Sequence, residues 1–296
     1  MINKWLKENT ESLAGKTVVL TGSTGGIGVH LCEYLAFLGA DLILLDRNQS
    51  KASALKSQLL SKHPNINIIL YKVDLEDEAS VFSACEKLKN HKLDYFIHNA
   101  GAYSIPRHRC KSGFDNVYQI NFLSPYYMIK TLMPQLRETG GRVVAVGSIA
   151  HNYSKSDKAN PDFSGVTAAS RAYGNAKRYL MFSLFELFKS ENSVTLSVVH
   201  PGITFTNITA HYPKLIFALI KHPMKIIFMK PKHAALSVLL GLFKATPYHT
   251  WLGPRIFGIW GSPKLRKLKT CSIEESRQIS KTAEKVLSQY VDKALR

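Results

Sequence analysis

Eight consecutive residues constrain this chain more than any others: Thr21-Gly22-Ser23-Thr24-Gly25-Gly26-Ile27-Gly28. They follow a β-branched apolar run, TVVLT at 17–21, that reads as a buried strand. They precede VHLCEYLAFL at 29–38, which reads as a helix stopped by Gly39. A strand turning into a helix through glycines leaves the first helical N–H groups unpaired, at the positive end of the dipole. Gly22 permits the tight turn, Gly26 lets backbone approach a pyrophosphate, and Gly28 lets helix pack closely on strand. The turn as a whole, with Ser23, Thr24, Gly25 and Ile27, predicts dinucleotide binding at a helix N-terminus.

The rest of the chain repeats the strand-then-helix pattern. Apolar runs at 40–45, 66–73, 93–98, 142–146 and 194–199 read as strands. Helical stretches are read at 50–62, 77–90, 114–132 with an interruption at Pro125, 172–189 and 274–293. Such alternation predicts an α/β fold, a Rossmann-type doubly wound parallel sheet with helices on both faces. One domain over 1–296 is expected. Residues 15–205 would form the cofactor-binding and catalytic core, and 205–273 an extended substrate lobe, with 204–262 read as a partly helical lid.

The ends of the strands carry the polar residues. Asp46, ending the second, could accept hydrogen bonds from ribose hydroxyls and repel a 2′-phosphate, which points to NAD. Arg47 beside it is the argument for NADP, the weaker alternative. Asp74 could reach the adenine or cap the next helix. Tyr173 and Lys177 stand four residues apart on one helical face. Such a pair alone is common, but here Ser148 ends the fifth strand and the glycine turn lies upstream. Hydride transfer to a carbonyl needs a proton donor, and a nearby ammonium would lower the tyrosine pKa toward the working range. Ser148 could hold the substrate oxygen. Asn121 could hold a relay water, or simply mark a helix irregularity. His98, His151 and His200 lie on three different strand ends without metal-ligand spacing, so no metal is expected; His151 could border the substrate.

Together these residues resemble the short-chain dehydrogenase/reductase family in its classical branch, over roughly 15–205. The resemblance rests on TGSTGGIG, Asp46, Asp74-Leu75, Asn99-Ala100-Gly101, Asn121, Ser148, Tyr173 with Lys177, and Pro201-Gly202. It implies a catalytic tetrad of Asn121, Ser148, Tyr173 and Lys177, and sheet support beside the cofactor from Asn99-Ala100-Gly101. It also implies Pro201-Gly202 against the nicotinamide, with Thr204 or Thr206 at its carboxamide. The finer match is to the retinol-dehydrogenase-like and protochlorophyllide-reductase-like subgroup. Ala176, Gly147 and Asp46 depart from the usual pattern there.

The formal net charge is +18. It is concentrated late: 205–273 holds eleven Lys or Arg and no Asp or Glu. In 212–232, YPKLIFALIKHPMKIIFMKPK, lysines alternate with apolar runs rather than forming a continuous polar stripe, so nucleic acid is not the expected partner. Three readings stay open for this stretch: a lid over a lipophilic alcohol or carbonyl substrate, a peripheral membrane contact, or a homo-oligomer contact. Trp251, Trp260 and Phe257 could line a pocket or fill the core. Cys32, Cys85, Cys110 and Cys271 form no CxxC pair and read as packed side chains. The opening residues have no apolar run, so no signal peptide and a cytoplasmic location are expected. A catalytically silent NAD(P)-binding sensor or scaffold is the rival function; retention of Tyr173 and Lys177 argues against it.

Overall fold

The computed structural model describes residues 2–204, 229–256 and 258–294. Thr206, Phe257 and all but the last residues of 212–232 lie outside them. Helix α1 (Ile2–Asn9) precedes β1 (Thr17–Thr21), α2 (Gly26–Phe37), β2 (Asp41–Asp46), α3 (Gln49–Lys62), β3 (Ile68–Lys72), α4 (Glu78–Leu88) and β4 (Tyr95–His98). A short helical turn, Asn116–Tyr118, runs through a π-helical turn, Gln119–Leu123, into α5 (Ser124–Thr139). Then come β5 (Arg142–Val146), a 3₁₀ turn (Ile149–Tyr153), α6 (Ala169–Leu187) and β6 (Thr195–Val199). The described C-terminal part adds α7 (Pro231–Phe243), β7 (Thr250–Ile256), β8 (Trp260–Lys267) and α8 (Ile273–Ala294).

The strand order is β3-β2-β1-β4-β5-β6-β7-β8. All neighbours run parallel except β8, which pairs antiparallel with β7. Alternation along each strand feeds two cores. Val19, Ile43, Phe96, Val143 and Ala145 pack toward α4, α5, α6 and α8. Val18, Leu20, Leu42, Leu44, Ile97 and Val144 pack toward α1, α2, α3 and α7. Burial on both sides is why the central strands read as unbroken apolar runs. Strand order reverses between β1 and β4, and the carboxyl ends of both open onto one crevice. Among the described residues, no helix is long and apolar enough to cross a membrane.

Two readings of local structure change. Pro125 does not end the helical run; it is the second residue of α5 and follows directly on the π-helical turn. The break lies one turn earlier, in the π-helical segment. The 204–262 stretch is also not a lid throughout. Helix α7 is core, with Ala234, Ala235, Val238 and Leu239 fully buried. Strands β7 and β8 extend the sheet despite Gly253, Pro254, Gly261 and Pro263. β8 is the edge strand and β7 meets β6 only at Leu252, so proline's lost donor is tolerated in both, and Pro254 faces Pro263 across the ladder. Trp251 is buried in this ribbon. Cys32, Cys85 and Cys271 are buried and Cys110 half-buried, all as free thiols.

The fully buried Phe122 ties the π-helical turn to its neighbours, its ring centroid 5.0 Å from Tyr118, 5.4 Å from Tyr126 and 5.3 Å from Tyr179. Phe122→Ala should lower unfolding free energy by about 3–5 kcal/mol, measured by urea denaturation. A loss under about 1 kcal/mol would mean that this aromatic cluster is not holding the turn.

Candidate active site

The glycine turn is built as its sequence requires. Gly22 has φ +72°, a left-handed conformation that favours glycine. A Cβ on Gly28 would sit 2.1 Å from Gly22 O, and one on Gly22 2.9 Å from Ala100 Cα. Gly25, the N-cap of α2, offers no side-chain cap, so the first N–H groups of the helix are left for a ligand. These features suit a dinucleotide pyrophosphate. The turn is pinned from β4: Asn99 Nδ2 donates to Gly22 O at 3.0 Å and Thr21 O at 3.3 Å. Asn99 N and Ala100 N both donate to Thr21 Oγ1, at 3.2 and 3.1 Å. With two donors on it, Thr21 Oγ1 gives its own proton to His98 Nδ1, 3.1 Å away.

Asp46 is buried, and both its oxygens are spent on the same turn. Ser23 Oγ donates to Oδ2 at 2.5 Å; Thr24 N and Thr24 Oγ1 donate to Oδ1 at 3.1 and 3.0 Å. Asp46 therefore braces the loop rather than presenting a free carboxylate to a ribose. Arg47 is open to solvent, its guanidinium 3.8 Å from Glu76 Oε1. Asp74 does not cap α4; Asp77 holds that position, while Asp74 Oδ1 accepts from Glu76 N at 3.0 Å. Leu75 O accepts from Ser124 Oγ at 2.7 Å, which fixes this strand end to α5. Glu76 also meets His108 Nε2 at 3.1 Å, and Cys110 lies close by, a cluster the sequence spacing does not reveal. Asn116 Nδ2 lies 3.1 Å from His108 Nδ1, an arrangement that leaves the ring proton on Nε2 for Glu76.

Asn121, Ser148, Tyr173 and Lys177 are brought together from three elements. The π-helical turn buries Asn121, whose Oδ1 accepts from Ala102 N at 3.2 Å and whose Nδ2 donates to Ala102 O at 2.9 Å and Val117 O at 2.8 Å. Asn121 thus sits in a helix irregularity, with its side chain held on the backbone of Ala102 and Val117. Lys177 Nζ donates to Val146 O at 2.9 Å. A Cβ on Gly101 would lie 2.9 Å from Asn121 Oδ1 and 3.7 Å from Lys177 Nζ, so both groups crowd that glycine. Ser148 caps the 3₁₀ turn, accepting from Ala150 N at 3.2 Å, and hydrogen-bonds the Tyr173 phenol. Tyr103, which carries no signal in the sequence beyond following Asn99-Ala100-Gly101, packs edge-on to Tyr173 at 5.3 Å.

The expected lowering of the Tyr173 pKa is reversed. Desolvation pushes the phenol up to about 12, with the Ser148 hydrogen bond opposing. Lys177 Nζ sits 5.8 Å from the Tyr173 ring centroid. Burial also brings Lys177 itself down to about 7. Desolvation is the largest cause for both groups, and for Lys177 no carboxylate among the described residues opposes it.

The remaining candidates separate. Gly202 has φ +87° at the end of β6, and Thr204 bridges to Met229. His98 is buried on Thr21. His200 stacks on Trp251 at 4.7 Å and 8°, and His151 meets the same indole edge-on at 5.3 Å. Burial lowers the His151 pKa to about 4 and that of His200 to about 3, so both rings are neutral near pH 7.

The short chain dehydrogenase family model matches residues 16–214 of this chain. The chain belongs to the short chain dehydrogenase family. Its class of chemistry is NAD(P)-dependent oxidoreduction between CH–OH and carbonyl groups. Among relatives, human polyprenol dehydrogenase is 29% identical over 207 residues, covering 66% of this chain and 63% of that protein. Mouse retinol dehydrogenase 12 is 30% identical over 202 residues, 67% of this chain and 64% of that protein. The match thus spans less than two thirds of either relative. A solved Mycobacterium paratuberculosis protein superposes with TM-score 0.76 at 22% identity, covering 94% of this chain and 95% of that one.

The preference for NAD does not stand. Solved structures of the same fold from Thermococcus sibiricus, Sphingobium yanoikuyae, Pseudomonas aeruginosa and Gluconobacter frateurii are complexes with 5-hydroxy-NADP, NADPH, NADP and NADPH. The physical reason lies in Asp46, whose carboxylate is occupied by Ser23 and Thr24.

Lys177 gives a stability test. Its folded pKa of about 7 lies below its usual 10.5. Between these values the unfolded chain holds a proton that the folded chain has released, so stability rises with pH across that window. Lys177→Met should be the more stable protein at pH 7, with the gap closing toward pH 10. Urea titrations at pH 7, 8.5 and 10 read this directly; a pH-independent gap would show that Lys177 is not desolvated.

Proposed function

We propose that this short chain dehydrogenase uses NADP(H) to interconvert a lipophilic alcohol and its carbonyl, with Tyr173 as general acid and base. The observation that carries the reading is the meeting of Ser148, Tyr173, Lys177 and Asn121 beside Gly101, at the crevice where the glycine turn opens. The similarity to polyprenol and retinol dehydrogenases supports a lipophilic substrate and a place near the retinol-dehydrogenase-like members. The whole chain then acts as one unit, with the core over 15–205 and the C-terminal lobe supplying the substrate side.

The residues of the turn and crevice would hold the cofactor. Gly22, Ser23, Thr24, Gly25, Gly26, Ile27 and Gly28 would take the pyrophosphate, and Asp74 with Leu75 the adenine. Arg47 would meet a 2′-phosphate, since guanidinium forks suit phosphate oxygens. Asn99, Ala100 and Gly101, with Pro201, Gly202 and Thr204, would border the nicotinamide half. When bound, the nicotinamide supplies or accepts the hydride.

The chain's own part is the proton. With its pKa near 12, Tyr173 is protonated at neutral pH and can donate Oη–H to a carbonyl oxygen. Ser148 Oγ shares that hydrogen bond and so can hold the same oxygen. Lys177 holds a proton on Nζ below about pH 7, and a cation there favours the phenolate that donation leaves behind. Asn121 fixes the backbone of Ala102 next to Lys177 and can position a water for proton return.

Purified protein should reduce lipophilic aldehydes with NADPH, and Tyr173→Phe should lose about 100-fold or more in kcat while binding NADPH as before. Loss of NADPH binding together with activity would count against a chemical role for the phenol. Arg47→Ala should raise KM for NADPH about tenfold, the loss of one charge-assisted contact, and leave KM for NADH unchanged. A wild-type enzyme faster with NADH would overturn the cofactor assignment.

A further inference from the structure

A second concave surface lies at the turn that follows Ser148. It is a cavity of about 650 Å³ between the 3₁₀ turn that follows Ser148 and the β7–β8 ribbon. Ile149, His151 and Asn152 line one side. The ribbon's tip reaches that turn: a Cβ on Gly258 would be 3.6 Å from Ile149 Cδ1 and 3.8 Å from Arg266 Nη1.

The ribbon's register sorts its side chains. Trp251 pairs with Arg266, and Gly253 with Lys264. Directly opposed residues share a face, and residues two apart share it too. Trp251, Lys264 and Arg266 therefore stand on one face, and Arg255, at the bulge where the register shifts, lines the same cavity. Trp251 is buried against His151 and His200 and forms an apolar floor, while Arg255, Lys264 and Arg266 are exposed along the wall. Lys267 and Lys269 add charge at the rim. None of these five cations makes an ion pair among the described residues. Nor can 205–273 supply a partner, since it contains no Asp or Glu.

Cations over an apolar floor, in a cavity lined by the residue that follows Ser148 in the chain, fit a ligand with both characters. We propose that this cavity binds an oxyanion carried by the substrate, a phosphate or carboxylate headgroup, through Arg255, Lys264 and Arg266. The word substrate rests on the oxidoreductase reading above; the anion site does not. Two arginines suit the forked geometry of such groups. The substrate class is then an amphiphile: an apolar body bearing the alcohol or carbonyl, and an anionic group held at the β7–β8 wall.

The test uses the full chain with 12-hydroxydodecyl phosphate and its neutral counterpart 1,12-dodecanediol. The phosphate should bind about tenfold tighter or more by calorimetry, the worth of charge-assisted contacts, and weaken with added salt. The double variant Lys264→Gln/Arg266→Gln should lose that advantage while keeping the wild-type NADPH affinity and thermal midpoint. Equal binding of the two probes, or an advantage that survives the double variant, overturns the proposal. Co-sedimentation with phosphatidylglycerol vesicles but no binding of the soluble phosphate would assign the wall to a lipid surface and overturn the substrate assignment. Turnover separates the two readings. Phosphate binding with no oxidation of either probe by NADP+ would sink the oxidoreductase reading and leave the anion site. Oxidation of both with equal kcat/KM would do the reverse.

Discussion

The junction at Thr21 holds the rest of the site in place. Its hydroxyl takes two backbone donors from Asn99 and Ala100 and gives its proton to His98. The Asn99 amide returns to the carbonyls of Thr21 and Gly22. This joins β1 to β4 where the strand order reverses, in a buried place where each unmade hydrogen bond would cost about 1–3 kcal/mol. The glycine turn is then fixed from β4 by Asn99 and from β2 by Asp46. The segment that fixes it continues directly into Gly101, against which Asn121 and Lys177 pack. Cofactor cradle and proton machinery therefore share one scaffold.

Burial sets the electrostatics of that machinery. Lys177 and Tyr173 both move toward their neutral forms because burial strips water from each charged form. The pair is held in a state that favours a proton on the phenol and a readily neutralised amine. A spacing of four residues says that the two share a helical face. It does not say how much water each loses, and that loss decides the sign of the shift.

The C-terminal lobe shows a related contrast. Its charge is obvious in the sequence, but its strands are not. Gly253, Pro254, Gly261 and Pro263 are ordinary turn signals, and only pairing at the edge of an existing sheet makes them strand residues. Once the ribbon forms, Trp251 is drawn inward onto His151 and His200, and the alternate residues Lys264 and Arg266 come to stand over it. Charge that was scattered along the chain becomes one wall at the turn that follows Ser148.

The sequence by itself determined the doubly wound sheet, the glycine turn and the four residues proposed for chemistry. Each of these is written in local terms: apolar runs of strand length, a glycine spacing that only one turn satisfies, and side chains at strand ends or on one helical face. Tertiary structure decided what depends on partners distant in the chain. Asp46 proved to be a brace for Ser23 and Thr24 because the turn folds back over its carboxylate. Asn121 gained its setting from a π-helical turn that Pro125 does not announce. Tyr103 met Tyr173, and Trp251 met His200, only through the packing of separate elements. Hydrogen-bond satisfaction and desolvation are properties of the assembled interior, so no reading of spacing alone could have supplied them.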